Sequence, residues 1–187
     1  MSELIVYTRE VEIESDWVVE YEVYCAGKYE STLRDDIIGF KYKGQRHLGR
    51  IFGEYIYKNL PEACDLSVYN YLLPIPSKPS SISRRSYDHV RLIGERFSEL
   101  CELPLAINIL EALECPTQMG LSRVDRRENI KDKFRLIDPY YAEGKSFLVL
   151  DDVFTTGSTL DEVIRTLNIV PTEQLDAVVL AEVPFWY

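Results

Sequence analysis

The segment Asp151-Asp152-Val153-Phe154-Thr155-Thr156-Gly157-Ser158-Thr159 sets two adjacent carboxylates before four hydroxyls and one glycine. It follows the apolar run Phe147–Leu150 and precedes the helical spacing of Val163, Ile164 and Leu167. It therefore occupies a strand-to-helix turn, the place where open α/β sheets bind ligands. The start of a helix offers unpaired N–H groups and the positive end of the helix dipole, both favourable to an anion. Thr155, Thr156, Ser158 and Thr159 add hydroxyl donors, and Gly157 lets the backbone approach a phosphate and take a positive φ. Asp151 and Asp152 would repel that phosphate, so they must address something else. Sugar hydroxyls fit, and so does Mg²⁺ bound directly or through water. The loop is thus spaced for a 5-phosphorylated ribose. The bland alternative is an ordinary helix start with surface acids. A Walker loop is excluded, because its lysine and second glycine are missing, and there is no GxGxxG.

Elements to position this loop can be read on both sides of it. Phe147–Leu150 is apolar throughout, as expected of a strand covered on both faces. Tyr69–Ile75 reads as a buried strand ended by Pro76, Ser77 and Pro79. A helical period runs through Tyr87, Val90, Ile93, Phe97 and Leu100, followed by strands at Leu105–Leu110 and Ala177–Ala181. Strands alternating with helices imply βαβ units and a parallel sheet. Upstream, Trp17, Val19, Tyr21 and Val23 alternate, which predicts a small β-hairpin or meander over about residues 1–28. Ser31 is placed to cap a helix carrying Leu33, Ile37 and Ile38 that stops near Gly44. A second helix holds Leu48, Ile51, Phe52, Tyr55 and Ile56 and ends before Pro61. The expected organisation is a hairpin-and-helix part over 1–60 and an α/β core over 61–187.

The chain has 187 residues, 46% of them hydrophobic, which suits one soluble domain with a small appendage. No apolar run approaches the about 18 residues of a membrane span, and the first residues lack the order of a signal peptide. A cytoplasmic protein is expected. Cys25, Cys64, Cys101 and Cys115 are too widely spaced for a zinc site and are expected to be reduced. The net charge of −10 disfavours direct binding to nucleic acid. Basic residues nonetheless cluster at Arg84, Arg85, Arg91 and Arg96, and again at Arg123, Arg126, Arg127, Lys131, Lys133 and Arg135. Local patches of this kind suit a small polyanion.

Phe147–Thr159 resembles the phosphoribosyl pyrophosphate (PRPP) signature of type I phosphoribosyltransferases over its whole length; a smaller aliphatic residue is commoner at Phe154. More of the chain, about residues 31–183, resembles the ComF branch. Leu73-Pro-Ile-Pro76 is similar to that family's strand end and pyrophosphate loop. Arg85-Ser-Tyr-Asp-His89 resembles a diverged Arg-Gly-Phe-Asn-Gln motif. Thr117-Gln118, Leu121-Ser-Arg123 and Arg126-Arg127-Glu-Asn129 are similar to its arginine-rich segment, with Lys131 and Phe134 also fitting. Ile37–Gly44 resembles a Lys-Tyr-containing stretch. Many members begin with a four-cysteine zinc ribbon; here that region holds Cys25 and the alternating strand instead.

The resemblance implies a central parallel sheet flanked by helices, with a flexible hood over about 111–137. It implies PRPP as ligand, Mg²⁺ as cofactor, and transfer of the phosphoribosyl group to an unidentified base or amine. Asp151 and Asp152 would hold the ribose and metal, and Thr155, Thr156, Gly157, Ser158 and Thr159 the 5-phosphate. Pro76, Ser77, Lys78 and Arg85 would lie by the pyrophosphate. Arg123, Arg126 and Arg127 would close from the hood. Lys78, Arg84 and Arg85 also read as solvated surface, and His89 as a partly buried helix residue. A non-catalytic PRPP or nucleotide sensor, an accessory role in DNA uptake or processing, and a vestigial site are the competing functions. Pairing with a second copy or a protein partner is compatible with each.

Overall fold

In the computed structural model the chain is described over residues 5–14, 17–114 and 133–184. The fully apolar run becomes the centre of strand β6 (Ser146–Phe154), in which Phe147, Leu148, Val149 and Leu150 are wholly buried. It lies between β7 (Gln174–Glu182) and β3 (Tyr71–Pro74), parallel to both. Beyond β7 come β2 (Trp17–Cys25), parallel to it, and β1 (Ile5–Glu14), antiparallel to β2 at the edge. The five-stranded order is β1-β2-β7-β6-β3. The sheet is α/β and mostly parallel, as the alternation of elements predicts.

Each face of the sheet is covered by helices bearing an apolar stripe. On one side lie α1 (Ser31–Tyr42), α2 (Leu48–Lys58) and α4 (His89–Cys101). Their Ile37, Phe40, Phe52, Ile56, Ile93 and Phe97 pack on Leu148, Leu150, Val178 and Leu180. Helices α2 and α4 touch closely: a methyl group at Gly53 would lie 2.7 Å from the Ile93 carbonyl oxygen. On the other side α6 (Ser158–Leu167) packs Leu160, Val163, Ile164 and Leu167 on Phe147, Val149, Ala177 and Val179. Two short α-helices are also present among the described residues, α3 (Pro79–Arg85) and α5 (Pro139–Ala142).

Three local expectations differ from what is observed. Glu30, not Ser31, is the N-cap of α1, and Ser31 itself has φ 49°. The run Leu105–Leu110 is not one strand. Leu105 makes an isolated bridge to Leu72, the backbone turns at Asn108 (φ 66°), and the strand β4 is Leu110–Ala112. It pairs antiparallel with β5 (Phe134–Leu136) in a separate sheet. An Asn that tolerates a left-handed conformation breaks the apolar run there. The third difference is α3, which begins at Pro79 where the sequence suggested loop; proline at a first helical position is pre-set for the turn.

The N-terminal strands do not stand apart from the core. Val23, Tyr24 and Cys25 pair with Ala177, Val178 and Val179, so the hairpin extends the same sheet. Within about 111–137, where a hood is expected, the described residues include most of the β4–β5 ladder; Arg123, Arg126 and Arg127 lie outside the described residues.

Candidate functional site

The site begins where β6 ends. Asp151 is half buried and Asp152 is 5% exposed. After Phe154 the chain turns through Thr155 and Thr156, both exposed, to Gly157, which has φ 78° and caps α6. That positive φ is one an L side chain adopts at a cost, and it is the conformation anticipated for the glycine. Thr156 and Ser158 hydroxyls lie 2.8 Å apart, while Thr159 is exposed in the first turn. The hydroxyls and glycine of Thr155–Thr159 are therefore gathered at one helix mouth.

Asp152 points into a network that the sequence did not reveal. Lys41 Nζ, from the last turn of α1, lies 2.9 Å from Oδ1 and 2.7 Å from Oδ2. His89 Nε2, at the start of α4, lies 2.7 Å from Oδ2. On the far side of that ring, Nδ1 is 3.0 Å from Arg85 Nη1 and 3.1 Å from Ser77 Oγ. A guanidinium can only donate, so Nδ1 accepts and Nε2 carries the hydrogen given to Asp152. Ser77 also donates its amide and hydroxyl to Asp88, each at 3.0 Å, and Asp88 caps α4 by accepting the Arg91 amide. The strand β3 loop, α1, α3 and α4 are thus tied to β6 by one chain of polar contacts.

The two neighbouring carboxyls are driven apart electrostatically. For Asp151, burial and then the adjacent Asp152 charge raise the pKa; its Oδ1 accepts the Asp152 amide at 2.8 Å. For Asp152, burial works in the same direction but is outweighed by the His89 hydrogen bond and the Lys41 charge, which hold its pKa below the usual range. Asp152 is therefore the fixed anion. Asp151 holds its proton more readily, and among the described residues it forms no ion pair.

Residues predicted around the pyrophosphate divide between two cavities. Pro76 and Ser77 line one of about 650 Å³, bounded also by Ile82, Asp88, Leu110 and Ile137. Arg85 lines a second of about 240 Å³ with Lys41, Tyr42, Arg84 and Tyr87. Its guanidinium stands 5.4 Å from the Tyr42 ring centre, and its Nε is buried without an acceptor. Lys78 borders neither cavity; it is half buried at the N-cap of α3. Lys41 and His89 were legible only as parts of motifs resembling the ComF pattern. Arg9, which reaches the loop from β1, gave no signal beyond its place in an alternating strand.

Among the described residues no group of three or more His, Cys, Asp or Glu could hold a metal ion, and none of their helices is long and apolar enough to cross a membrane. Cys25, Cys64 and Cys101 are free thiols.

The chain is an α/β protein whose mostly parallel sheet carries an acid–hydroxyl turn at its carboxyl edge. A mostly parallel sheet flanked by helices is the fold implied by the resemblance to type I phosphoribosyltransferases. The chain is a homologue of "Competence protein F" of Haemophilus influenzae, at 29% identity over 154 residues, covering 80% of this chain and 67% of that protein. It also matches "DNA utilization protein YhgH" of Salmonella typhi at 34% identity over 104 residues, covering 51% of this chain and 44% of the relative. No family model matches. Among solved structures it is similar to an "allosteric regulatory enzyme of purine biosynthesis", at 17% identity and a TM-score of 0.43, covering 73% of this chain and 25% of that one. It is also similar to glutamine PRPP amidotransferase from B. subtilis, at 12% identity and a TM-score of 0.46, covering 90% of this chain and 35% of that one.

Proposed function

We propose that the protein binds PRPP and transfers its phosphoribosyl group to a base or amine acceptor. The observation that carries this reading is the pairing of a positive-φ glycine turn, flanked by exposed Thr155, Thr156 and Thr159, with two electrostatically distinct carboxyls at the end of the preceding strand. The 5-phosphate would sit against the N–H groups and hydroxyls of Thr155–Thr159, where it gains charge-assisted hydrogen bonds. Asp151 would take the ribose hydroxyls. Asp152, fixed by Lys41 and His89, would add negative potential beneath the sugar and favour the cationic ring of an oxocarbenium-like transition state. The C1–O bond breaks with its electron pair leaving on pyrophosphate, the acceptor nitrogen bonds to C1, and the acceptor's proton passes to the departing pyrophosphate. Lys41, Arg84 and Arg85 line a cavity that suits a departing polyanion.

Mg²⁺ belongs to the same reading. Asp151 is a hard oxygen donor with no described ion-pair partner, and burial raises its pKa, so a divalent cation beside it would relieve both its desolvation and its repulsion from Asp152. Asp151 would hold the ion directly or through water, and the ion would supply charge neutralisation to the pyrophosphate. Calorimetry with PRPP and Mg²⁺ tests binding, and pyrophosphate release with a panel of bases and amines tests transfer. The expected results are saturable binding lost in Asp151→Asn and release with at least one acceptor.

A binding-only sensor draws on one specific feature: the Asp152 carboxylate is already engaged by Lys41 and His89. That reading expects PRPP to bind with no turnover for any acceptor and to alter affinity for a protein partner. Steady pyrophosphate release would dismiss it.

A further inference from the structure

We propose that the β1 strand is a working part of the phosphate site, with Arg9 positioning the Gly157 turn and keeping its potential positive toward the 5-phosphate of a phosphoribosyl ligand. The inference rests on the phosphoribosyl reading above and extends it to an N-terminal module that has no counterpart in the family's zinc ribbon.

Tyr7, Arg9 and Val11 alternate along β1 and so share a face. All three meet the core or the loop. The Tyr7 ring stacks on Phe154 with centroids 5.4 Å apart, and Arg9 Cζ stands 5.6 Å from the same ring centre. Arg9 then forks onto Asp161, Nε to Oδ1 at 3.0 Å and Nη2 to Oδ2 at 2.7 Å. Tyr21 of β2 donates its hydroxyl to Asp161 Oδ1 at 2.8 Å. The guanidinium is pressed against the turn itself: a methyl group at Gly157 would lie 2.4 Å from Arg9 Cζ and 2.8 Å from Nη1. Phe154, the unusual residue of the loop, is thus the platform on which Tyr7 and Arg9 rest.

The chemistry follows from Asp161. An acid in the first turn of α6 stabilises the helix but opposes a second anion at the same mouth. Arg9 pairs with that acid and places its own charge nearer the Gly157 turn. Its removal would leave Asp161, with Tyr21 as its remaining described side-chain partner, at the mouth that the phosphate would enter. Arg9 acts through the loop and Asp161, so it is a positioning residue.

The test is calorimetry on the full chain with three probes: PRPP with Mg²⁺, ribose 5-phosphate, and inorganic pyrophosphate. For Arg9→Ala the expected result is about tenfold weaker binding of ribose 5-phosphate and PRPP, with pyrophosphate affinity unchanged. Arg9→Lys should recover most of the loss. Asp161→Asn guards against a variant that fails to fold, because it should tighten ribose 5-phosphate binding severalfold, which a merely structural ion pair would not do. Unchanged ribose 5-phosphate affinity in Arg9→Ala, equal weakening of all three probes, or weaker binding in Asp161→Asn would each overturn the proposal. If wild type binds neither PRPP nor ribose 5-phosphate, the phosphoribosyl reading fails first and takes this inference with it.

Discussion

Replacing Lys41 by methionine removes a charge while keeping most of the side-chain stem. Its ammonium reaches both oxygens of Asp152, at 2.9 and 2.7 Å, in a pair whose side chains are 20% and 7% exposed. After the change, the described partner left to the Asp152 carboxylate is His89 Nε2. Charge-assisted hydrogen bonds contribute about 1.5–3 kcal/mol, and stranding one member of a buried pair costs about 3–5 kcal/mol. Because His89 remains, a destabilisation of about 2–3 kcal/mol is expected at neutral pH. For a domain of this size that lowers the Tm by roughly 4–12 °C. The pH dependence supplies the sharper check. In the wild type Asp152 has a depressed pKa, so its stabilisation is present above the unfolded value of about 4 and is lost as pH falls through the lower folded value. Without Lys41 the effect of burial is opposed by His89 alone, so the carboxyl's pKa moves up from its wild-type position, and protonation relieves the charge that has lost a partner. The gap between wild type and Lys41→Met should therefore be widest near pH 7 and shrink on acidification. Urea titrations at pH 7, 5 and 4 measure it. A gap that stays constant across these values, or a variant as stable as wild type at pH 7, would refute the assignment of Lys41 as the counter-ion of Asp152.

Three other substitutions and conditions extend the test. Asp151→Asn should abolish Mg²⁺-dependent PRPP binding yet raise stability at alkaline pH. The wild-type carboxyl has a raised pKa, so it destabilises increasingly as pH climbs above about 4, and the variant's advantage should grow with pH and vanish in acid. Thermal melts over that range read the sign. Tyr69→Phe removes the buried hydroxyl that donates to Asp176 at 2.7 Å and should cost about 1–2 kcal/mol, seen as a Tm lower by roughly 2–8 °C. Duplex DNA should show no gel shift at physiological salt, given the net charge of −10; tight binding there would support direct DNA handling instead.

The parts of the site that were legible are local. Residues 151–159 carry their chemistry in adjacent positions, and the uniformly apolar Phe147–Leu150 announces a strand buried on both faces. Helical spacing likewise located α2, α4 and α6. What the sequence concealed is tertiary. Lys41 is 111 residues from the Asp152 it neutralises, and Arg9 is 152 from Asp161, so no periodicity links them. The strand Leu105–Leu110 misled because an apolar run does not disclose that Asn108 turns the backbone within it. Ser31 has the type of a helix cap but sits one residue inside the helix, where its side chain cannot serve that end.

The parallel ladder between β2 and β7 joins Val23 to Ala177, so on the ribosome β2 is made long before the neighbour it requires. Pairings of such sequence separation slow folding, because the loop between them must close before any contact rewards it. Until β7 emerges, the inner flank of β2 and the apolar margin of β6 have nothing to pair with in this sheet. The nascent form is then the aggregation-prone one, and its exposure ends with the last strand synthesised in the sheet.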